Sequence, residues 1–269
     1  MPLPCPWTTV RIGPAPFLAV DHLGAGPLLV FLHGIGGNRR NWHPNLPAFS
    51  ARFHAAAWDA RGYGDSDDGP LDIPSWSDDL RRLLDHFEAP GAHLVGLSMG
   101  GLIAMDFARR WPARILSLTL CDTLPDLGHL PEETRRDFLA RRREPLLRGA
   151  EPRDIAPDVA RSLVGPDAPP EVLGALVDSI ARLRKASYLQ AIDAVVSAKA
   201  AGDLGALRVP TLLVVGEADR LTTPALMQAM AARIPGARLA LVPGAGHLPN
   251  LESPAAFADV VFDFLAHLA

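Results

Sequence analysis

The stretch that decides the fold is residues 93–105, His-Leu-Val-Gly-Leu-Ser-Met-Gly-Gly-Leu-Ile-Ala-Met. Its first part, residues 93–97, is a short apolar run of the kind that forms a buried parallel strand. After Ser98 the apolar residues recur at helical spacing as far as Trp111, and Pro112 then ends the pattern. Strand and helix leave no room for a loop between them. The sequence therefore predicts that Ser98 lies on the turn itself.

A serine on such a turn has a chemical consequence. Gly96 and Gly100 lack side chains, which lets the strand and the helix approach each other closely. The Ser98 hydroxyl is expected to project from the C-terminal edge of the sheet, and the Met99 N–H is free because it begins a helix. Such donors, aligned with the helix dipole, suit a developing oxyanion. Gly-x-Ser-x-Gly also occurs by chance in ordinary turns. Other segments of the chain are therefore needed to distinguish a nucleophilic serine from a turn of small residues.

Composition sets the class of protein. The chain has 269 residues, of which 48% are hydrophobic and 21% charged, which suits one large α/β domain with a modest insertion. The formal net charge of −4 gives no indication of nucleic acid or an anionic membrane as a partner. No apolar run approaches the roughly 20 residues that a membrane helix needs. Nothing in the sequence indicates an oligomeric state.

The termini and cysteines point to the location. Residues 1–7 contain no basic segment followed by an apolar one, so no secretory signal is visible. Cys5 and Cys121 lie far apart, and Cys121 falls in an apolar strand pattern where it is interpreted as a small core residue. No cluster has metal-ligand spacing and no phosphate-binding glycine loop is present, so we expect no metal and no cofactor. The prediction is a cytoplasmic enzyme without disulfides.

The order of the predicted elements indicates the architecture. Strands are predicted at 8–12, 17–22, 27–32, 55–58, 93–97, 115–121, 210–216 and 238–242, and helices at about 42–49, 76–87, 98–111, 224–234 and 254–268. The first two strands are expected to be antiparallel, and the later alternation of strand and helix implies right-handed crossovers. The fold class is therefore α/β, with a mostly parallel central sheet and helices on both faces.

The alternation stops after residue 121. Between 122 and 200 the pattern contains no convincing strand, and helices are predicted at 132–147, 158–164, 171–183 and 188–198, separated by glycine and proline. We interpret residues 122–200 as an inserted helical cap that covers the C-terminal edge of the sheet. Residues 1–121 and 201–269 then form the core.

A serine hydroxyl becomes a good nucleophile only when a base removes its proton, and the base needs an acid to fix its tautomer. Of nine histidines, His247 lies in a glycine-rich loop directly after the last predicted strand, at the correct edge of the sheet. Asp219 and Asp122 each follow a strand, and both satisfy the order serine, acid, histidine. The loop setting favours Asp219 as the acid partner of His247, although the order of the residues along the chain also allows Asp122.

Five segments together resemble the α/β-hydrolase fold family: 33–37 (His-Gly-Ile-Gly-Gly), 59–66, 96–101, 216–219 and 244–247, in the same order and spread over nearly the whole chain. The resemblance implies a triad of Ser98, His247 and Asp219. It also implies an oxyanion hole formed by the backbone N–H groups of Ile35 and Met99. Within the family, residues 96–101 and the placement of the cap are similar to the 3-oxoadipate enol-lactonase-like group.

The expected function is hydrolysis of a small-molecule carboxylic ester or lactone through an acyl-enzyme on Ser98. The alternatives are C–C bond hydrolysis of a vinylogous diketone of the meta-cleavage-product type, and a ligand-binding relative that has lost turnover. Trp42 is a candidate for the acyl pocket, or else a core residue. The cap arginines alternate with acidic residues, so we interpret them as a solvated helix face rather than an anion site. Residues 59–66 are expected to brace a turn.

Overall fold

The computed structural model of the protein describes residues 6–199 and 202–268. Eight strands form one sheet in the order β1-β2-β4-β3-β5-β6-β7-β8. The strands are β1 (Thr8–Ile12), β2 (Leu18–Leu23), β3 (Leu28–Leu32), β4 (His54–Trp58), β5 (Ala92–Leu97), β6 (Ile115–Cys121), β7 (Thr211–Gly216) and β8 (Arg238–Val242). β2 pairs antiparallel with β1 and β4, and the remaining pairs are parallel. The predicted mostly parallel sheet is confirmed. Cys5, one of the two cysteines of the sequence, lies outside the described residues.

Ten α-helices surround the sheet within the described part of the chain. They are α1 (Leu46–Ser50), α2 (Ile73–His86), α3 (Met99–Arg110), α4 (Glu132–Leu147), α5 (Pro152–Leu163), α6 (Pro170–Ala181), α7 (Lys185–Ser197), α8 (Pro224–Ala231), α9 (Pro249–Glu252) and α10 (Pro254–Ala266). In β3, Leu28, Val30 and Leu32 pack into one hydrophobic core, whereas Leu29 and Phe31 pack into a second core on the opposite face. A strand buried on both faces needs an unbroken apolar run, which is why β3 shows no alternation in sequence.

Several predicted helices differ from those in the structure by about three residues at one end, and two differ more. The helix expected at 42–49 is divided into a 3-10 turn, Arg39–Trp42, and the short α1, because Pro44 cannot supply the backbone N–H that a continuous helix would use there. The helix expected at 158–164 begins six residues earlier, at Pro152. Its start is fixed by a capping pair in which the Glu151 N–H donates to the Asp154 carboxylate at 2.8 Å.

The segment between β6 and β7 contains only helical elements among its described residues, as predicted. Its division from the core at residues 122–200 stays a prediction, and positions 200 and 201 lie outside the described residues. Hydrogen bonds join this helical segment to the core: the His247 N–H donates to the Leu163 carbonyl at 2.7 Å, and the Ser179 hydroxyl donates to the Gly36 carbonyl at 3.0 Å. Across 6–199 and 202–268, every helix is too short or too polar to cross a bilayer.

The junction of β5 with α3 depends on missing side chains. A Cβ placed on Gly100 would overlap the carbonyl oxygen of Leu32 in β3, and one placed on Gly96 would lie 2.5 Å from the Gly100 carbonyl oxygen. Backbone atoms on both sides of these contacts cannot swing away as a flexible side chain could. The two glycines therefore set how closely α3 can approach the sheet.

This packing predicts a large effect of a single methyl group. Gly100→Ala is expected to lower the free energy of unfolding by about 3 kcal/mol, the upper end for overpacked cores. Gly174→Ala is the control, since Gly174 is exposed in α6 and its Cβ would meet no atom within 4 Å; it is expected to gain about 0.5–1 kcal/mol in helix propensity. Urea unfolding measures both. Equal stability of the two variants would contradict the account.

Candidate active site

Ser98 holds a strained backbone conformation at the end of β5. Its φ of 52° and ψ of −114° are unusual for any residue with a side chain. Neighbouring groups hold it there: the Ser98 N–H donates to the Cys121 carbonyl at 2.9 Å, and the Thr123 hydroxyl donates to the Ser98 carbonyl at 2.8 Å. The strain is thus stabilised by β6 and the loop that follows it. The predicted position of Ser98 on the turn agrees with this geometry.

His247 and Asp219 are in direct contact. One Asp219 oxygen lies 2.9 Å from His247 Nδ1, and both residues are only 4% exposed. The Leu221 N–H donates to Asp219 at 2.8 Å, and the Thr222 hydroxyl donates to it at 2.5 Å. Burial alone would raise the pKa of Asp219, but the His247 ring and these donors hold it well below its usual value. Asp219 is therefore ionised and fixes the proton on Nδ1, which leaves His247 Nε2 as an acceptor.

Ser98 and His247 lie on the wall of one cavity, which we name the His247 cavity. No hydrogen bond joins their side chains among the residues that the structure describes, a common situation without substrate. Ser98, Asp219 and His247 follow β5, β7 and β8, so all three lie at the C-terminal edge of the sheet. The structure brings the two partners into contact and places the serine at the same cavity.

Asp122, the competing acid, lies behind this pair. It is fully buried with a positive φ of 41°, and one of its oxygens accepts the Gly216 N–H at 2.9 Å while the other has no partner among the described residues. Burial, and then the charge of Asp219, raise the pKa of Asp122 well above its usual value. Asp122 is therefore the protonated member of the two acids, and Asp219 is the partner of His247.

Atoms of Asp122, Asp219 and His247 lie within 4.8 Å of one another, a spacing that a cation could also use. The donors are already engaged by the protein, because His247 Nδ1 and one Asp219 oxygen lie 2.9 Å apart and one Asp122 oxygen accepts the Gly216 N–H at 2.9 Å. A metal site needs deprotonated, available ligands. The geometry therefore fits a proton-transfer arrangement better than a metal centre.

The glycine-rich turn after β3 lies against Ser98. The Ala60 N–H donates to His33 Nε2 at 3.1 Å, so Nδ1 carries the hydrogen and donates to the Gly34 carbonyl at 2.9 Å. A Cβ on Gly34 would lie 3.2 Å from the Ser98 Cβ, tighter than most side-chain contacts. His33 thus fixes the turn, and Gly34 lets it approach the serine.

Two backbone N–H groups flank the Ser98 side chain. Met99 begins α3, where the first N–H groups have no intrahelical acceptor, and Ile35 lies in the turn fixed by His33. Within the described residues, neither N–H donates to a protein acceptor outside the helix. Ile35 and Met99 both line a second cavity beside Ser98, which we name the Met99 cavity. The oxyanion hole expected at Ile35 and Met99 stays a prediction, and these two N–H groups are compatible with it.

Of the two interpretations of Trp42, acyl pocket or core, the structure favours the core. The Trp42 side chain has no solvent exposure and stacks on Phe31, with ring centroids 4.7 Å apart. The 3-10 turn that carries Trp42 directs it into the core. Its neighbour Asn41 lines the His247 cavity instead.

The turn at 59–66 is a structural brace, as predicted. Arg39 forms ion pairs with Asp59, with Asp21 at 3.0 Å and with Asp65 at 2.7 Å. The Ser66 hydroxyl donates to the Asp59 carbonyl at 2.6 Å. These contacts tie the loop after β4 to the turn after β3 without facing Ser98.

Glu252 is a site residue that the sequence interpretation missed. Its carboxylate accepts the N–H groups of Gly246 at 3.0 Å, Leu248 at 3.2 Å and Gly165 at 2.7 Å. It therefore fixes the loop on both sides of His247 and joins that loop to the segment after α5. The available signal was an acidic residue a few positions after a glycine-rich histidine loop, at the start of a helix. Arg142 was missed as well, and its surroundings are described below.

The protonation of Asp122 predicts how stability depends on pH. The pKa of Asp122 in the folded state lies above the unfolded value of 3.8. Its contribution to the free energy of unfolding is therefore complete below pH 3.8 and is lost as the pH rises toward the folded pKa. Asp122→Asn removes this titration. We therefore expect the free energy of unfolding of the variant, relative to that of wild type, to rise by up to about 1.4 kcal/mol for each pH unit above pH 4. Urea unfolding at several pH values measures the difference, and a difference that does not change between pH 4 and 8 would contradict the assignment.

The sequence and fold of this chain are similar to those of known proteins. The profile of a family described as "Alpha/beta hydrolase family" matches residues 29–260. The chain is 28% identical to 3-oxoadipate enol-lactonase 2 of Acinetobacter baylyi, covering 87% of each chain, and 32% identical to a pimeloyl-[acyl-carrier protein] methyl ester esterase of Neisseria meningitidis, covering 87% of this chain and 91% of that one. The structure of a thermophilic esterase from Thermogutta terrifontis superposes with a TM-score of 0.87 at 29% identity, covering 97% and 99% of the two chains. The protein belongs to the alpha/beta hydrolase family.

Proposed function

We propose that the protein is a serine hydrolase that cleaves a carboxylic ester or lactone through an acyl-enzyme on Ser98. The observation that carries the proposal is the buried hydrogen bond between His247 and an ionised Asp219, at the cavity that Ser98 lines. Two relatives, named as an enol-lactonase and a methyl ester esterase, support the reaction class. A cytoplasmic location remains part of the proposal.

In the first step, His247 Nε2 takes the proton from Ser98 Oγ as that oxygen attacks the carbonyl carbon of the substrate. The Asp219 carboxylate stabilises the imidazolium that forms and keeps its ring oriented. The carbonyl oxygen becomes an oxyanion that accepts the N–H groups of Ile35 and Met99. Removing one such donor in a comparable hydrolase costs about 3–4 kcal/mol of transition-state stabilisation, so the pair is a large part of the catalysis.

In the second step, the tetrahedral intermediate collapses and the bond from carbon to the alkoxy oxygen breaks. His247 gives its proton to that oxygen, and Ser98 remains acylated. Water enters, His247 takes one of its protons, and the hydroxide formed attacks the acyl carbon. Ser98 Oγ leaves and recovers the proton from His247, which releases the acid and restores the resting state. In a lactone the alcohol and the acid are the two ends of one product.

Ser98→Ala tests the proposal on three substrates measured together: a short aryl ester, an enol-lactone and a vinylogous 1,5-diketone. We expect wild type to hydrolyse the ester or the lactone and the variant to lose roughly 10⁴-fold or more in kcat. A fluorophosphonate probe should label wild type and not the variant.

The other outcomes are equally informative. Turnover of the diketone alone would move the assignment to C–C bond hydrolysis. A folded protein that the probe does not label, and that turns over none of the three, would favour a ligand-binding relative. Full activity of Ser98→Ala would refute the role of the serine.

A further inference from the structure

Arg142 differs from the arginines on either side of it. Arg141 is half-buried and pairs with Asp137 at 2.8 Å and with Asp158 at 2.9 Å, and Arg143 pairs with Asp193 at 2.8 Å. Arg142 is only 3% exposed, and within residues 6–199 and 202–268 its guanidinium forms no ion pair; the polar group that interacts with it is the Tyr188 hydroxyl. The two flanking arginines thus belong to the solvated face of α4, and Arg142 points inward.

The surroundings of Arg142 do not neutralise its charge. Its Cζ lies 4.4 Å from the centroid of the Phe138 ring, a cation–π contact within α4. Tyr188 in α7 is 1% exposed, and its hydroxyl lies close enough to interact with the guanidinium. Burial lowers the pKa of Arg142, whereas the charges of Asp137 and Asp158 act in the opposite direction, and an arginine stays protonated in proteins. A full cation is therefore held in a buried place, with a tyrosine hydroxyl nearby and no carboxylate of the described residues in direct contact.

Arg142 lines the His247 cavity together with Ser98 and His247. Among the described residues of that wall it is the only Lys, Arg, Asp or Glu, and most of the others are apolar side chains or glycines. A buried charge without a partner is strongly destabilising unless a counter-charge reaches it. Asp137 and Asp158 line a cleft beside Arg142 and reach it only by charge, without an ion pair. On the described wall of the His247 cavity there is no acidic side chain, so a direct counter-charge on that side would come from a bound molecule.

The approach to this cavity is also cationic. An outer cleft shares Phe138, Arg142 and Leu163 with the His247 cavity. Four arginines line this cleft (Arg141, Arg142, Arg161 and Arg220), against two aspartates (Asp137 and Asp158). A cleft with an excess of one sign raises the local concentration of the opposite ion. Both the entrance and the inner wall therefore favour a negatively charged ligand.

We propose that Arg142 binds a carboxylate of the substrate, so that the preferred substrates are esters or lactones carrying a second, ionised carboxyl group joined to the scissile carbonyl by an apolar spacer. The proposal rests on the proposed function, because it places the carboxylate in the cavity where Ser98 reacts. A planar guanidinium can bind both oxygens of a carboxylate at once, and the mostly apolar lining of the cavity that Arg142 shares with Ser98 matches a hydrocarbon spacer.

The test compares charged substrates with neutral partners of the same shape. One pair is the mono-4-nitrophenyl ester of adipic acid and its methyl 4-nitrophenyl diester, with the carboxylate on the acyl half. The other pair is 3-carboxyphenyl acetate and its methyl ester, with the carboxylate on the leaving group. Wild type should prefer the anionic member of at least one pair. For that member, Arg142→Gln should lower kcat/KM by about 30- to 1,000-fold, as expected when one side of a buried charge pair is removed.

Two variants and the neutral substrates make the result specific. The loss of kcat/KM that Arg142→Gln causes on the neutral members should be at least ten-fold smaller than its loss on the anionic member, and thermal unfolding shows that the variant is folded. Arg142→Lys should recover part of the preference because it keeps the charge but not the two-pronged geometry. Arg143→Gln, which alters the neighbour that lines neither the outer cleft nor the His247 cavity, should keep the full preference.

A binding measurement gives a readout independent of turnover. Calorimetry with adipate should detect binding to Ser98→Ala and a loss of at least ten-fold when Arg142→Gln is added. Equal losses on charged and neutral substrates, or no preference in wild type, would overturn the carboxylate site and leave Arg142 a packing role. If wild type hydrolyses no ester and the fluorophosphonate probe leaves Ser98 unlabelled, the proposed hydrolase function itself fails.

Discussion

The rest of the site depends on the hydrogen bond between His247 Nδ1 and Asp219, because it determines which ring nitrogen faces Ser98. For the bond to work, a buried carboxylate has to stay ionised, and the Thr222 hydroxyl and the Leu221 N–H stabilise that charge. The loop that carries His247 is fixed separately by the Glu252 carboxylate, which also ties it to the segment after α5. The serine at the end of β5 therefore faces a partner whose position and tautomer are set by the core and by the inserted helices together.

Charge is distributed unevenly around this bond. Asp122 and Asp219 lie close together behind the histidine, and burial leaves the proton on Asp122, so that only one negative charge is present there. In the His247 cavity, Arg142 supplies a cation to an otherwise mostly apolar lining. In our proposal, the scissile carbonyl of a substrate meets Ser98 and His247, and its second carboxylate meets the guanidinium.

The sequence predicts well those features that depend on local pattern. β1, β6, β8 and α4 have the predicted bounds, since apolar runs and terminal prolines or glycines fix them. The position of Ser98 follows from the lack of any loop between β5 and α3. Side-chain direction was harder: Trp42 sits in a 3-10 turn whose orientation no periodicity reveals. Arg142 was hidden in a charged segment, although Phe138, Arg142 and Leu146 are spaced by four residues and share the buried face of α4. The choice between Asp219 and Asp122 needed the hydrogen bonds, because both follow strands at the same edge.

The measurement that tests the central claim most directly compares kcat for Asp219→Asn and Asp122→Asn on one aryl ester. If Asp219 orients His247, Asp219→Asn should lower kcat by roughly 10⁴-fold, since the amide favours the wrong tautomer. Asp122→Asn replaces a protonated acid by a neutral group of the same shape, so its kcat should remain within about ten-fold of wild type. The opposite ranking, or similar losses in both variants, would contradict the assignment of Asp219 as the partner of His247.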